Sequence, residues 1–540
     1  MSQTAKKGVF LAIAALVGAF IFYRYTGGTV LDPTQVSWLM TGDPAQHWLG
    51  WQFFRGTPLW QWPLGRNYPF GMEVSSSIVY TDSIPLMAFL FKPFNAWLPE
   101  AFQYTGIWLV LCCLLQAVFG YLVALRLTAQ PLYSLLCASV FALAPIYFFR
   151  MTGHFALAGH WLLLAGLYLY LAPRFQRSAW LLLLVLAAWV HAYLLAMTLS
   201  IWGAALIRDW RMTRDTRGVV VSMIATLLLI ALAMDMAGYF TVRHGGQVAD
   251  GFGLFRLDLA SLFNPGLAFI SKMIRPYNNE LTNLEGFNFL GLGMLILLAY
   301  CLLDAGGRAT PAGIKDVLLR EPYVLLSLGL TLFALSNVIS LQGRLWFTYP
   351  LPDSLLAIAN TFRASGRFFW PVYYGLMAWA MLHLWRRTGR KAVVILLGIL
   401  CIQIWDMGGL RGHLIETFQQ RHASEAALVR SPWSDVAVGY QSIVAFEPDL
   451  MVPHWLPIGE FAATHGLNMN FGWFARVDQK AKLHQRLKLT DLAASMALDP
   501  HNLYLLPQGQ CEGWRPRLPT GFVCKTSELG DLVFKPRNPS

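Results

Sequence analysis

An aspartate stands directly before a proline in the stretch TGDPAQHWLGWQFFRG, residues 41–56, which follows the first long apolar run of the chain. A carboxylate just outside a membrane helix, ahead of a proline-fixed turn, can accept a proton from a substrate hydroxyl held at the bilayer surface. The same pattern is typical of a helix N-cap with proline at the first helical position. Asp43 is therefore a candidate acid/base catalyst, with a helix cap as the compatible structural alternative.

A loop rich in aromatic residues, glycine and proline comes next, WPLGRNYPFGMEVSSSIVYTDSIPL at residues 62–86. Long ordered loops between elements are frequently functional, so we predict that Arg66 and Asp82 bind substrate. The structural alternatives are interfacial anchoring for the aromatic residues and a second helix cap for Asp82.

The stretch RMTGHFALAGHW, residues 150–161, places three ionisable residues where a membrane helix should begin. Ionisable residues at a span face the protein interior or a cavity and are functional by default. His154 and His160 are six residues apart and do not share a helical face, which argues against a metal pair. Hydrogen bonding of the two histidines to a phosphate or sugar hydroxyl is one interpretation, and satisfied packing is the other. Arg150 and His154 are the residues of this stretch that we expect to bind substrate.

Two later segments carry cations suited to phosphate. The glycine-rich, basic region of residues 244–293 contains Arg256 and Glu285, and backbone amides with guanidinium forks can wrap a phosphate there. In NTFRASGRFFWPVYY, Arg363 and Arg367 are four residues apart, which predicts one face of a helix entering the membrane at headgroup level. Snorkelling to lipid headgroups is the alternative for this pair.

Composition identifies the class of protein that must position these residues. The 540 residues are 56% hydrophobic and 13% charged, with a mean hydropathy of +0.47, which leaves too little polar surface for a soluble globule. The net charge of +12 does not indicate nucleic acid, because Lys and Arg gather in short segments between apolar runs. The first apolar run follows two lysines and lacks a cleavage site, which predicts a retained helix rather than a signal peptide.

An α-helical polytopic fold with about eleven transmembrane helices follows from the apolar runs and the basic loops. The region of residues 179–207 is too long for one helix and is predicted to be two short helices joined near His191. The other spans are residues 8–23, 105–125, 132–149, 156–171, 219–240, 287–303, 323–341, 368–385 and 392–406. The basic loops then lie on one side, with the N-terminus cytoplasmic and the C-terminus extracytoplasmic.

This topology predicts two domains. Residues 1–409 form the transmembrane domain, whose first extracytoplasmic loop (residues 26–100) contains an interfacial helical segment at 80–99. Residues 410–540 alternate apolar segments such as SIVAF and NLYLL with helix-like ones, which indicates a small extracytoplasmic α/β domain. Cys511 and Cys524 lie in this polar region and are predicted to form a disulfide if it is outside the cytosol.

The chain shows no GxGxxG, Walker, HExxH or GxSxG motif in a supporting context. Because the inner loops are also short, nucleotide binding has no support, and a transfer substrate should arrive already activated on the outer side. The remaining cysteines lie in apolar runs without metal-ligand spacing. No cofactor is predicted, and a divalent metal stays open.

Several blocks in order carry a family resemblance: TGDPAQHWLGWQFFR, IVYTDSIPL, GHFALAGHW, WVHAYLLAM, DGFGLFRLDLASLFNP, LEGFNFLGLG and FRASGRFFWPVYY. Together they resemble an uncharacterised bacterial membrane family that is grouped with the GT-C class glycosyltransferases, over nearly the whole chain. The resemblance implies transfer of a sugar from a polyprenyl-phosphate or pyrophosphate carrier, usually with inversion, and an essential acid in the first extracytoplasmic loop. By position that acid is Asp43. The chain lacks the paired-acid motif and the WWD-like triplet of oligosaccharyltransferases, which weighs against metal dependence and asparagine acceptors.

The resulting expectation is a glycosyltransferase of the bacterial inner membrane that acts on a lipid or glycan acceptor of the envelope, with no nucleic acid partner. Asp43 is the expected catalytic residue, and the expected substrate-binding residues are Arg66, Asp82, Arg150, His154, Arg256, Glu285, Arg363 and Arg367. A lipid or glycan transporter, a glycan polymerase or ligase, and a non-catalytic assembly protein remain alternatives. A transporter should show internal inverted repeats, and none stands out in the sequence.

Overall fold

The computed structural model describes residues 3–74, 76–242, 251–277, 285–306, 321–420, 433, 436 and 439–537. The chain divides into two compact units, each assembled from separate segments. The first comprises Met1–Asp32, Thr105–Ile230 and Val248–Gln419. The second comprises Pro33–Tyr104, Ala231–Gln247 and Gln420–Ser540.

The first unit is almost entirely helical. Its helices are Gln3–Thr26, Thr105–Thr128, Pro131–Ala142, Pro145–Arg150, Trp161–Tyr170, Arg177–Val190, Ala192–Thr213, Thr216–Ala237, Leu292–Gly306, Pro322–Leu335, Asp353–Asn360, Trp370–Thr388, Lys391–Asp406 and Gly408–Gln419. The helix Thr216–Ala237 passes into the second unit at Ala231. Short 3-10 helices span Thr29–Leu31, Phe155–Ala158 and Ser365–Phe369. Strands β1 (Val338–Leu341) and β2 (Arg344–Thr348) form an antiparallel hairpin. Fully buried tryptophans such as Trp108, Trp180 and Trp370 fill the core of this unit.

Four of the described helices are long and apolar enough to cross a bilayer, and they make the chain a membrane protein. They are Lys6–Thr26, Thr105–Thr128, Pro131–Arg150 and Thr216–Ala237. The helices Lys391–Asp406 and Gly408–Gln419 meet at 49° and count as a fifth span if the bent pair crosses as one. Shorter apolar helices occupy Phe155–Tyr170, Arg177–Val190, Leu292–Gly306 and Pro322–Leu335. The prediction of a mostly helical chain with several apolar spans is therefore confirmed, while the count of about eleven spans stays a prediction.

The predicted break at His191 is confirmed. His191 has an extended backbone (φ −167°, ψ 139°) between the helices Arg177–Val190 and Ala192–Thr213. Its Nδ1 accepts a hydrogen bond from the backbone N–H of Tyr193 at 3.1 Å, so the imidazole caps the second helix as a short polar side chain would. A polar residue in the middle of an apolar run thus marks a helix end here.

The second unit joins the loop after the first helix to the C-terminal region. It contains the helices Gly42–Arg55, Pro85–Phe91, Pro448–Met451, Trp455–Thr464, Gln479–Ser495 and Cys511–Trp514, with 3-10 helices at Ser37–Leu39, Ile78–Thr81, Lys92–Trp97, Val452–His454 and Arg515–Arg517. Two backbone hydrogen bonds tie the parts together: Met469 N–H donates to Pro69 O, and Gly71 N–H donates to Met469 O, both at 2.9 Å. Gln46 Nε2 also donates to Trp473 O at 2.6 Å. The C-terminal region therefore packs on the helix that carries Asp43.

The expected α/β character of the C-terminal region is confirmed. A five-stranded sheet has the order β4-β3-β5-β7-β6, in which β3 pairs in parallel with β4 and β5, and β7 pairs antiparallel with β5 and β6. The strands are β3 (Ser442–Ala445), β4 (Asn468–Met469), β5 (Asn502–Leu506), β6 (Val523–Lys525) and β7 (Asp531–Phe534). The central strands are buried along nearly their whole length, as expected of an apolar run with layers on both faces.

Cys511 and Cys524 form a disulfide in this region, with their Cα atoms 5.5 Å apart. The bridge is buried against Tyr504, Leu506 and Val533. Disulfides persist in oxidising compartments, so the bond favours an extracytoplasmic location for the C-terminal region.

Lys92 gives the second unit a pH dependence. Its side chain is 6% exposed, and Nζ donates to Thr57 Oγ1 at 2.6 Å and to Pro58 O at 2.9 Å. Burial lowers the pKa of Lys92 to about 8, so the unfolded chain binds the proton more tightly than the folded one. The free energy of unfolding should therefore rise between pH 8 and about pH 10, by up to about 3 kcal/mol.

Thermal unfolding of wild type and Lys92→Met at pH 7, 8, 9 and 9.5 measures this contribution. The free energy of unfolding of the wild type, relative to that of Lys92→Met, should increase as the pH rises. Lys480→Met, at an exposed lysine, is the control and should follow the wild type at every pH. A Lys92→Met curve parallel to the wild type would contradict the prediction.

Candidate functional site

Asp43 lies in the first turn of the helix Gly42–Arg55, in the second unit. The N-cap position falls on Thr41, so the prediction that Asp43 itself is the cap, with proline as the first helical residue, is wrong. The helix begins earlier than the proline signal indicates. A carboxylate in the first turn still benefits from the partial positive charge of the helix N-terminus, and Asp43 is only partly buried, which leaves it accessible to a substrate.

His47 follows Asp43 by one turn, so both project from the same helix face. It is 5% exposed, and a ring nitrogen lies within 4.8 Å of a carboxylate oxygen of Asp82. The sequence interpretation did not select His47. The signal that would have found it is the spacing of four between an acid and a histidine in TGDPAQHW.

Asp82 is held by an unusual backbone. It has φ 51° and ends the 3-10 helix Ile78–Thr81, and Ile84 has φ 50°. Aspartate tolerates the left-handed region, but a β-branched residue there is strained, and such strain concentrates at functional sites. Ser83 Oγ donates to His47 O at 2.7 Å, which fastens this turn to the helix that carries His47.

Gly50 makes the close approach of the two segments possible. A Cβ at this position would lie 2.1 Å from Thr81 Oγ1 and 2.3 Å from Ser83 Oγ. Only glycine at position 50 therefore lets the turn Thr81–Ser83 pack directly on the helix. The side chains of Thr81 and Ser83, which flank Asp82, both donate hydrogen bonds to backbone carbonyls and so fix the position of Asp82.

Arg66 lies on an exposed part of the loop in the second unit. Its guanidinium carbon is 5.9 Å from the centroid of the Tyr68 ring, and its backbone forms an antiparallel bridge with Ser77. Both the bridge and the ring contact are local. The structure thus gives Arg66 an accessible charge but no buried binding position.

In the first unit, three of the predicted residues meet at the carboxylate of a fourth, Glu285. Glu285 Oε2 accepts hydrogen bonds from Arg367 Nε at 2.7 Å and from Arg150 Nη1 at 3.2 Å, and Arg367 Nη2 lies 2.5 Å from the same oxygen. His154 Nε2 lies 3.4 Å from Oε1. We call Arg150, His154, Glu285 and Arg367 the Glu285 cluster.

Aromatic rings and close backbone packing hold the two guanidiniums of the cluster. Arg150 lies 5.2 Å from the Trp370 ring centroid, and Arg367 lies 4.7 Å from that of Tyr193, distances at which a cation is attracted by the ring face. A Cβ on Gly366 would lie 2.7 Å from the Cα of Gly286. The chain segments that carry Arg367 and Glu285 can therefore approach this closely only because position 366 is glycine.

The cluster carries a net positive charge in a mostly buried place. Side-chain exposure is 2% for Arg150, 9% for Arg367, 15% for Glu285 and 32% for His154. Burial alone would raise the pKa of Glu285, but Arg367 and Arg150, with His154 adding less, hold that pKa well below its usual range. Two guanidiniums and one carboxylate leave a charge of +1 with His154 neutral, which suits an anionic ligand.

The other arginines predicted to bind substrate have different surroundings. Arg256 is 8% exposed and donates to Ser340 Oγ at 3.0 Å and Gly253 O at 2.6 Å, which fixes the loop that carries it. Arg363 is exposed and precedes the 3-10 helix Ser365–Phe369, whereas Arg367 lies inside it. The prediction that these two residues share one face of a helix is therefore wrong, because the α-helix begins only at Trp370. Residues 244–250 and 278–284 of the glycine-rich segment lie outside the described residues.

His160 is fully buried, with Nδ1 2.8 Å from the hydroxyl of Tyr374 and its ring centroid 4.2 Å from that of Trp370. Its surroundings are aromatic core, which favours the packing alternative. His160 therefore packs against Trp370, the ring that also contacts Arg150.

Metal ligands of the right type occur in the second unit. His47 and Asp82 offer one nitrogen and one carboxylate oxygen within 4.8 Å, two of the ligands that a divalent ion takes. Cys511, Cys524 and Asp531 are also close together, but the disulfide occupies both sulfurs. The acid–histidine pair is thus the better fit for an ion.

Comparison with protein families gives two matches. Residues 15–408 match a domain of unknown function, DUF6311, and residues 432–528 match the DUF6311 C-terminal domain. No curated protein matches the chain. The first match alone covers well over half of the sequence and includes Asp43, Asp82 and the whole Glu285 cluster. The chain therefore belongs to the DUF6311 family.

Proposed function

We propose that the protein is a membrane glycosyltransferase that moves a sugar from a polyprenyl-phosphate or pyrophosphate carrier to a lipid or glycan acceptor of the bacterial envelope. The observation that carries the proposal is the Glu285 cluster. Two mostly buried guanidiniums with a net positive charge, one of them at the end of the candidate span Pro131–Arg150, suit a lipid-linked phosphate. The resemblance to GT-C enzymes supports the same reaction class.

The proposed reaction is a displacement at the anomeric carbon of the donor sugar. The acceptor oxygen forms a bond to that carbon while the bond from the carbon to the phosphate oxygen breaks, and the electron pair stays on the phosphate. The acceptor proton passes to the carboxylate of Asp43. Arg367 and Arg150 stabilise the charge that develops on the leaving phosphate, which is where positioned cations help most.

The roles of the remaining residues follow from their surroundings. Asp82 and His47 orient the acceptor or a divalent ion, His154 hydrogen-bonds the carrier phosphate, and Arg363 attracts its charge from an exposed position. Arg256 acts through the loop it fixes. The proposed location is the bacterial inner membrane with the N-terminus cytoplasmic, and the buried disulfide supports an extracytoplasmic C-terminal region.

Mass profiling of envelope glycans and glycolipids tests the proposal. Cells that lack the protein should lose one sugar-sized mass increment, and Asp43→Asn at matched membrane abundance should lose the same increment. Asp82→Asn should reduce the product by at least about tenfold. Asp353→Asn removes an exposed first-turn carboxylate from another helix and should restore the wild-type profile.

Two results would contradict the proposal in different ways. If Asp43→Asn restores the profile of the deletion strain fully, Asp43 is not the catalytic base. If the deletion changes no glycan or glycolipid mass, the transferase activity itself is wrong.

A further inference from the structure

Glu285 occupies the position that a phosphate would take between the two guanidiniums. Arg367 presents Nε and Nη2 to a single carboxylate oxygen, and Arg150 Nη1 adds a third donor to that oxygen. The same guanidinium donors bind the oxygens of carboxylate and of phosphate. The carboxylate and a phosphate ester are therefore competing ligands for the same donors.

We infer that Glu285 is an exchangeable counter-ion, which holds the Glu285 cluster assembled without substrate and leaves the two guanidiniums when a phosphate ester binds. The inference rests on the proposed function, because the expected phosphate is that of the lipid carrier. The inference gives Glu285 a regulatory role in place of the direct substrate contact expected from the sequence.

The partial exposure of the cluster allows such an exchange. Arg150 and Arg367 are held by Trp370 and Tyr193, whereas Glu285 and especially His154 reach the accessible edge. The residues that would have to move are thus the more exposed ones, and the residues that would stay are the buried ones. His154, at 32% exposure the most accessible member of the cluster, therefore marks the side on which we expect a phosphate to approach.

Charge balance indicates the class of ester. With Glu285 in place the cluster has a charge of +1, and once Glu285 leaves, the two guanidiniums present +2. A phosphodiester carries one negative charge, whereas a monoester carries close to two above its second pKa of about 6. The emptied pair therefore matches a doubly charged phosphate monoester, the form in which a carrier phosphate leaves after sugar transfer.

Direct binding to the full-length protein in phosphatidylcholine nanodiscs tests the inference without sugar transfer. The probes at pH 8 are farnesyl phosphate as the monoester, methyl farnesyl phosphate as the diester, and inorganic phosphate. Glu285→Gln should bind farnesyl phosphate about tenfold more tightly than wild type, because an internal competitor that fills the site nine-tenths of the time weakens apparent affinity tenfold. The gain should be smaller for the diester, and Arg367→Gln should lose at least tenfold.

Two further variants separate exchange from structural damage. Glu285→Asp keeps the charge on a shorter side chain and should bind between wild type and Glu285→Gln. Asp304→Asn removes the same charge from another acid paired with an arginine and a histidine, Arg387 and His383, and should bind as wild type does. Inorganic phosphate that binds as tightly as farnesyl phosphate would identify a free anion rather than a lipid headgroup as the ligand.

The inference is overturned if Glu285→Gln weakens or leaves unchanged the binding of farnesyl phosphate, because the carboxylate would then only hold the arginines in place. It is also overturned if no form of the protein binds any probe. Asp43→Asn should bind the probes normally. Tight binding in the absence of any glycan change in cells would refute the transferase proposal while leaving the exchange intact.

Discussion

Arg367→Gln is expected to reduce sugar transfer by about 10²–10³-fold, the loss that follows when one positioned electrostatic partner of a transition state is removed. Glutamine can still donate a hydrogen bond to Glu285, but it supplies neither the charge nor the fork. The loss of Arg367 also leaves Arg150 as the one guanidinium of the cluster paired with Glu285, so the net charge of the cluster falls from +1 to zero. The measurement is the rate of transfer from a lipid-linked donor in membranes with matched protein abundance.

Arg363→Gln and Arg367→Lys are the controls for this prediction. Arg363 is exposed, so its loss should slow transfer less than tenfold, as expected of a screened surface charge. Arg367→Lys restores the charge without the fork and should recover only part of the rate. A loss in Arg367→Gln no larger than in Arg363→Gln would show that Arg367 does not contact the transferred phosphate.

The parts of the fold that the sequence predicts are those that local patterns encode. Hydrophobic runs identified the four long apolar helices, the polar His191 marked a helix break, and alternating segments indicated the α/β region. These features depend on residues close together in the chain. Helix starts were less accurate, because the helix that carries Asp43 begins before the proline that was taken as its first residue.

The Glu285 cluster shows what local patterns cannot supply. Arg150, Glu285 and Arg367 were each selected for charge, yet 135 residues separate the first pair and 82 the second. Nothing in periodicity or composition indicates that one carboxylate joins them. The close packing of Gly366 on Gly286 is equally hidden, because a glycine in sequence does not reveal which backbone it approaches. Asp406 was interpreted only as the end of a span, although it orders a loop and the start of the helix Leu292–Gly306.

Asp406→Ala is expected to lower the stability of the first unit by about 4 kcal/mol, because the buried Ser271 hydroxyl and the partly buried N–H groups of Met273 and Leu292 lose their carboxylate acceptor, at about 1–3 kcal/mol each. Asp406 is fully buried. Its Oδ1 accepts from Ser271 Oγ at 2.6 Å and from the N–H groups of Lys272 and Met273 at 3.1 and 3.2 Å. Its Oδ2 accepts from Leu292 N–H at 3.3 Å. One carboxylate thus orders a loop and the start of the helix Leu292–Gly306.

The measurement for Asp406 is thermal unfolding in detergent, followed by tryptophan fluorescence and helical circular dichroism, with an expected fall in midpoint of about 4–6 °C for a chain of this size. Asp406→Asn should lose roughly half as much, because its amide oxygen can replace Oδ1 while its NH2 group faces the N–H of Leu292. Asp353→Ala, at an exposed acid in the same unit, should change the midpoint by less than about 2 °C. A shift that small in Asp406→Ala would mean that water or a rearranged loop satisfies the stranded donors, so that the carboxylate does not hold the loop. A large shift would show that this part of the first unit depends on a single residue, Asp406, at the end of the helix Lys391–Asp406.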